Sequence, residues 1–227
     1  MAWDFGAQIH TLTGFDADSS SASEEGTETY QVLATQWLTD AAKEVINILP
    51  PELKMECATI TSLTSSTPMD LDATGKVLHV TRENADSGYH IGCRKVNAIL
   101  AGSADDSTSL HYVTATDPIY WTESDTGGDP KLFVKPTPTA NQPARVHHVA
   151  FPAVAYDATA IVNFPDEAEY LVVLRAAITA AEYKLNFEED AELYIPIISS
   201  LKAQYQEGVQ GLVSGNISQQ QPQQGAR

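Results

Sequence analysis

The chain has 227 residues, enough for one large domain or two small ones with a buried core. It contains 30 acidic and 13 basic residues, so its net charge at pH 7 is −17. This balance argues against non-specific DNA binding, which needs clustered lysine and arginine to release counterions from phosphate. It does not argue against DNA passing nearby, because an acidic wall repels phosphate and lets DNA slide.

The sequence shows no sign of export or membrane insertion. It opens without a basic segment followed by an apolar run, so we expect no secretory signal. Its longest apolar run is far shorter than the ~20 residues of a membrane helix, so we expect a soluble protein with no membrane contact. Cys57 and Cys93 are too few for a disulfide framework, and the sequence leaves open a single bridge between them; we expect both to be reduced, in a cytosolic setting.

Both ends of the chain are predicted to be flexible. Residues 1–26 run into the acidic, serine-rich stretch FDADSSSASEEG and contain no lysine or arginine, which indicates a mobile N-terminal arm. Residues 214–227, SGNISQQQPQQGAR, are rich in glutamine and predict a flexible C-terminal tail. Such ends can become ordered when a partner binds.

Three segments have helical periodicity. Apolar residues in 27–49 recur at spacings of three and four, and the prolines at 50–51 end this helix. Residues 165–185 begin with a proline and three acids and are then apolar on nearly every side, so we expect this helix to be buried. Residues 188–212 carry an apolar stripe, and Pro196 is expected to kink or divide this last helix.

Residues 52–162 have a different character, because Ser, Thr, Gly, Pro and Asp separate short β-branched runs. Between two of these runs, SDTGGD (124–129) is typical of a hairpin turn. The predicted strands are KVLHVTR (76–82), YHIGCRKV (89–96), SLHYV (109–113), PIYWTE (118–123), KLFVKP (131–136) and ARVHHVAF (144–151). The sequence therefore predicts an α+β fold, in which a small helical bundle from 27–51 and 163–213 carries an inserted antiparallel β-rich region at 52–162.

No catalytic, nucleotide-binding or metal-binding motif is recognisable. The sequence lacks a Gly-x-Ser-x-Gly elbow, a Gly-rich phosphate loop and the dinucleotide fingerprint. His147 and His148 are neighbours in a predicted strand, so their rings point to opposite faces. His90 and Cys93 also face opposite ways, and no second pair completes a zinc site. We therefore expect no enzymatic activity, no metal and no cofactor.

Four sequence segments resemble segments of structural proteins of tailed bacteriophages. They are WLTDAAKEVINILPPELK, SLHYVTATDPIYW, VKPTPT and FPDEAEYLVVLRAA. The predicted elements of the chain follow in the order of a first helix, a β-rich region, an apolar helix that begins with acidic residues after a proline, and a last long helix. This order is similar to the head-to-tail adaptors of short-tailed phages (the tail tubular protein A family) and to other neck connector proteins. The resemblance covers residues 28–212.

The resemblance implies a structural protein of the virion neck, assembled in the host cytoplasm. It would form a dodecameric ring below the portal protein and extend the channel through which genomic DNA passes without specific binding. Its β-rich region would face a tail or nozzle protein, while its C-terminal segment would dock on the portal. The residues implied are Leu212, Val213, Ile217 and Arg227 for docking, and Tyr170, Leu171, Leu174, Ile178, Leu201 and Tyr205 for subunit packing.

Two other hypotheses remain open. The β-rich middle would suit a minor capsid, nozzle or tail-tube component, although a tube protein should be mainly sheet. The other hypothesis is an enzyme with an unrecognised site, for which the polar residues Tyr89, His90, His111 and Tyr112 are candidates. A connector should assemble on a partner ring and show no catalytic turnover. The activity of an enzyme should not depend on that partner.

Overall fold

The chain divides into two compact units, one formed by residues 1–57 and 151–227 and the other by residues 58–150. The first unit is helical and the regular elements of the second are mainly strands, so the predicted α+β class is confirmed. The β unit is shorter than the predicted insert of 52–162. The computed structural model describes residues 3–23, 28–71, 74–84, 88–187 and 191–219.

In the described chain, the helical unit contains five helices. They are α1 (Phe5–Thr13), α2 (Tyr30–Ile48), α3 (Pro51–Glu56), α4 (Asp166–Phe187) and α5 (Ala191–Gln219). Helices α2, α4 and α5 correspond to the three predicted helices, whereas the sequence does not predict α1 or α3. None of the five is both long and apolar enough to cross a lipid bilayer.

Residues 5–13, inside the predicted flexible arm, form helix α1 instead. The Asp4 side chain caps this helix by accepting a hydrogen bond from a backbone N–H of the first turn at 2.7 Å. Gly14, with a φ of 72°, closes its C-terminus. A helix this short is unstable alone, and it is stabilised here because Phe5 and Ile9 are buried and α1 packs on α4.

Helices α2 and α3 meet at the proline pair. The Thr29 hydroxyl caps α2 by accepting a hydrogen bond from the Val32 backbone N–H at 3.4 Å. Helix α2 ends at Ile48, before Pro50, as predicted. Pro51 then begins α3, because a proline in the first turn of a helix loses no hydrogen bond there.

Helix α4 is the centre of the helical unit, since it contacts α1, α2 and α5. This position explains why the helix is apolar on nearly every side. Fully burying each of its larger aliphatic side chains contributes about 1.5–3 kcal/mol. The buried residues are Ala168, Leu171, Val172, Val173, Leu174, Ala176, Ala177, Ile178, Ala180 and Ala181.

Helix α5 is continuous through Pro196, so this proline does not divide the helix, and the alternative of a kink stays a prediction. The hydrogen bond that Pro196 lacks would have gone to the carbonyl of Glu192, in the exposed first turn, where water can replace it. The predicted flexible tail is also helical over 214–219, and the rest of it, 220–227, lies outside the described residues.

The described β unit is a sandwich of two four-stranded sheets. Its strands are β1 (Ala58–Leu63), β2 (Met69–Asp70), β3 (Val77–Glu83), β4 (His90–Gly92), β5 (Arg94–Lys95), β6 (Ile119–Ser124), β7 (Pro130–Lys135) and β8 (Ala144–Val149). The strand orders are β1-β8-β3-β4 and β2-β7-β6-β5. Val80 and Val146 from the first sheet share a core with Tyr120 and Leu132 from the second.

The predicted hairpin is confirmed. Strands β6 and β7 pair antiparallel from Ile119 opposite Lys135 to Ser124 opposite Pro130. Gly128 supplies the positive φ of 92° that the turn needs. One strand pair departs from the predicted antiparallel arrangement, because β5 pairs with β6 in parallel.

Two predicted strands differ in the structure. SLHYV (109–113) forms turns, because the side chains of Asp106 and Ser109 each accept a hydrogen bond from the backbone N–H two residues ahead, at 2.9 and 3.1 Å. YHIGCRKV (89–96) divides into β4 and β5, which belong to different sheets. The sequence does not predict strands β1 and β2 or the 3₁₀ helix Ala98–Asp105.

Candidate functional surfaces

Helices α4 and α5 form a tightly packed antiparallel pair. A Cβ atom placed on Gly208 would lie 2.6 Å from Leu171 Cδ2, so only glycine permits the observed approach without a shift of that side chain. Toward the other end of the pair, Lys202 Nζ lies 2.8 Å from Glu182 Oε1. These two contacts fix the register of α5 along α4.

A polar network joins α2, α4 and α5. Arg175 Nε of α4 donates a hydrogen bond to Glu44 Oε2 of α2 at 2.7 Å. Tyr205 of α5 donates from its hydroxyl to the other oxygen of Glu44 at 3.5 Å. Burial, together with the Glu44 charge, raises the pKa of Tyr205 to about 12, so this hydroxyl keeps its proton at neutral pH.

The C-terminal end of α5 extends past the start of α4. Leu171 is the sixth residue of α4, so five residues precede it, whereas eleven residues of α5 follow Gly208. At ~1.5 Å per residue, the last six or so residues of α5 therefore extend about 9 Å beyond the first residue of α4. This end of α5 therefore lies beyond the first residue of α4.

The four residues implied in portal docking fall at or beyond this end. Leu212 is half-buried in α5. Val213 and Ile217 lie in the last turns of the same helix. Arg227 lies outside the described residues. Their docking role remains a prediction.

The residues implied in subunit packing, apart from Tyr205 of the polar network, divide into two groups. Leu171, Leu174, Ile178 and Leu201 are buried among the chain's own helices, so their packing lies within the subunit. Tyr170 is 52% exposed and its hydroxyl donates a hydrogen bond to Gln204 Oε1 at 3.2 Å. Among the α4 residues of this set, Tyr170 is therefore the one that a neighbouring copy could contact.

Negative charge is concentrated in the helical unit. Twenty of the 30 acidic residues and six of the 13 basic residues belong to it, a net charge of −14. The β unit has ten acidic and seven basic residues, a net charge of −3. The acidity of the chain is thus a property of one unit.

The β unit carries a stacked pair of histidines that sequence reasoning does not identify. The rings of His79 on β3 and His147 on β8 lie 3.8 Å apart, centroid to centroid. His148 has different surroundings, since it is buried and its Nε2 is 3.0 Å from Thr61 Oγ1. The stacked partners are 68 positions apart in the sequence, so no local motif could reveal them.

Three of the four polar residues considered for an enzyme are exposed. Tyr89 is 75% exposed, Tyr112 is 46% exposed and His111 lies in an exposed turn, while His90 is half-buried on β4. Within the described residues, no cluster of His, Cys, Asp and Glu could hold a metal ion. Cys57 and Cys93 are free thiols, and burial raises their pKa values to about 11 and about 12.

The described chain thus combines a helical unit, which has a long terminal helix, with a β sandwich. Residues 15–226 match the sequence profile of the family described as SU10 adaptor protein. The chain belongs to this family of phage head–tail adaptors, which makes it a structural protein of the virion. Membership places it at the neck and implies association with the portal and the tail. No curated protein matches the chain.

Proposed function

We propose that the protein forms a ring, of twelve subunits, below the portal, and that this ring extends the DNA channel and joins it to the tail. Within this ring, the end of α5 docks on the portal and the β unit faces the tail or nozzle protein. The proposal makes the chain a passive structural part with no catalytic turnover. Assembly takes place in the host cytoplasm.

The observation that carries the docking proposal is the length of α5. About six residues of this helix extend past the start of α4. A helix end that extends beyond its own hairpin is suited to insertion between elements of another protein.

The charge distribution supports a path for DNA beside the helical unit. A net charge of −14 in that unit repels phosphate, so DNA would pass without binding. A channel wall with this charge prevents the tight contacts that clustered lysine and arginine would make.

Sedimentation velocity tests the proposal directly. The purified protein is run alone and then mixed with portal rings from the same virus. Movement of the chain into the fast portal boundary, at a saturating ratio of one chain per portal subunit, is the expected result. A chain that never enters the portal boundary would exclude the adaptor ring.

Two truncations locate the docking element. Removal of residues 214–227 deletes the extended end of α5 and should weaken portal binding while the fold is retained. Removal of residues 220–227 alone is the matched control, because it leaves α5 complete. Equal loss of binding in both truncations would assign docking to the last eight residues instead of the helix.

A further inference from the structure

An uncharged groove runs between α1 and the α4–α5 pair. Two openings, of about 150 and 370 Å³, form it, and Thr11 and Leu12 of α1 line both. Trp3 and Tyr170 border one end and are 60% and 52% exposed. Ile197 of α5 lines the other end. The groove therefore presents large apolar side chains to its surroundings.

The absence of charge distinguishes this groove from the rest of the helical unit. All the described residues that line it are uncharged, although the unit contains twenty acidic residues. Two copies of so acidic a unit repel each other wherever their carboxylates meet. An uncharged groove is a surface where a second copy can approach without this repulsion. Gln8, Ser200 and Gln204 supply the groove with hydrogen-bonding groups.

A second apolar surface lies on the opposite side of α5. Leu185, Ile195 and Ile198 line an opening of about 560 Å³ there, and Ile195 is 57% exposed. With 3.6 residues per turn, Ile195 and Ile198 point away from the groove-lining side of the helix. The charges at this opening are Lys202 and Glu182, which pair with each other.

We propose that the groove of one copy receives the Ile195 side of α5 from the next copy. This inference rests on the proposed ring and names its subunit contact. A two-fold contact of groove with groove would leave the second surface exposed on both copies. A head-to-tail contact covers both surfaces in every copy and can close into a ring. The partner is therefore a second copy of this chain.

Single charges placed on either surface test the contact. Ser200→Asp puts a carboxylate in the groove, and Ile195→Asp puts one on the opposite side of α5. Both positions are exposed in the subunit, so both variants should fold. Gln36→Asp, at an exposed position of α2 that lines neither surface, is the control.

Sedimentation equilibrium at increasing protein concentration measures the self-association of each variant. Ser200→Asp and Ile195→Asp should associate at least about tenfold more weakly than the wild type, because each would bury an unpaired carboxylate. Gln36→Asp should associate like the wild type. Wild-type association by Ser200→Asp, or a wild-type chain that stays monomeric at every concentration, would overturn the proposal.

A mixture of the two variants tests the head-to-tail arrangement. Ser200→Asp keeps an intact Ile195 side, while Ile195→Asp keeps an intact groove, so one good contact can form between them. The expected product is a one-to-one dimer that grows no further. If Ile195→Asp associates normally by itself, the contact is two-fold and the head-to-tail proposal fails.

Binding to portal rings separates this inference from the proposed function. If the portal binds Ser200→Asp and Ile195→Asp at the wild-type ratio and affinity, the proposed subunit contact is wrong and the adaptor function stands. If the portal binds none of the chains, the wild type included, the adaptor function itself fails.

Discussion

Two glycines of α5 lie in contrasting surroundings. The side chain of Leu171, which is 1% exposed, would be 2.6 Å from a Cβ atom on Gly208. No described atom lies within 4 Å of a Cβ atom on Gly211. Glycine within a helix costs about 0.5–1 kcal/mol relative to alanine. Gly208 offsets this cost by letting two helices approach, whereas Gly211 has no such contact in the subunit.

Alanine substitutions at the two glycines should therefore differ. Gly211→Ala should raise the free energy of unfolding by about 0.5–1 kcal/mol. Gly208→Ala should give no such gain and should lower stability, because the added methyl group displaces a buried leucine. Urea unfolding of both variants measures the difference. Equal increases in the free energy of unfolding for both variants would contradict the close approach at Gly208.

The stacked histidines predict a dependence of stability on pH. Burial, followed by the charges of His79, Arg145 and His90, lowers the pKa of His147. The pKa of this histidine in the unfolded chain is about 6.5. As the pH falls below that value, the unfolded state binds more protons at this group than the folded state does. The stability contributed by this group is present above that pH and is lost as the pH falls toward the folded pKa.

We expect the chain to unfold at lower urea concentration at about pH 5 than at about pH 7.5. His147→Gln should reduce that difference, because the group responsible no longer titrates. His111→Gln, which changes an exposed histidine in a turn, should leave it unaltered. The same pH response in all three proteins would exclude the histidine pair as its cause.

At the scale of elements, α4 determines whether the helical unit folds. It contacts three other helices, and Leu174 at its centre is fully buried. A carboxylate at that position would be removed from water without a partner. The stability of α1 depends on the same helix, since α1 is short and packs on α4.

Leu174→Asp should leave little soluble, natively folded protein. Val162→Asp is the control, because Val162 is 80% exposed and its substitution should leave the yield and the far-UV circular dichroism unchanged. Soluble Leu174→Asp protein with a wild-type thermal transition would show that α4 is not the core of the subunit.

The sequence predicts elements well where the pattern is local. Helices α2 and α4 have apolar periodicity and proline signals within one segment, and the β6–β7 hairpin has its own turn residues. Helix α1 has local capping residues, Asp4 and Gly14, but it is too short to be stable alone and depends on α4, more than 150 residues away. The groove of the proposed subunit contact was missed for the same reason, since α1 forms one of its walls.

At the scale of the whole molecule, the β unit is an insertion with adjacent ends. Ala58, at its start, pairs with Val149, next to its last residue. Paired residues of an antiparallel ladder are about 4.5–5.5 Å apart at Cα, so the chain enters and leaves the unit at neighbouring points. Such an insert places little strain on the unit that carries it.

Replacement of residues 58–150 by a short Gly/Ser linker, of about two to four residues, should leave the helical unit folded. The expected result is a helix-rich circular dichroism spectrum and a cooperative thermal transition. Residues 58–150 expressed alone should also unfold cooperatively, because their core cluster lies within that segment. A non-cooperative helical unit would mean that it needs the β unit to fold.

The sequence by itself determined the class of this protein. It is an acidic α+β chain without a recognisable catalytic motif, and its apolar helix had to be buried. Four of its sequence segments resemble those of phage adaptors. Those properties depend on composition and on patterns within single segments. The tertiary structure alone decided which helices cover α4, why Gly208 is tolerated, how β5 pairs in parallel and where His79 meets His147. Each of these depends on contacts between residues far apart in the chain, which no local pattern encodes.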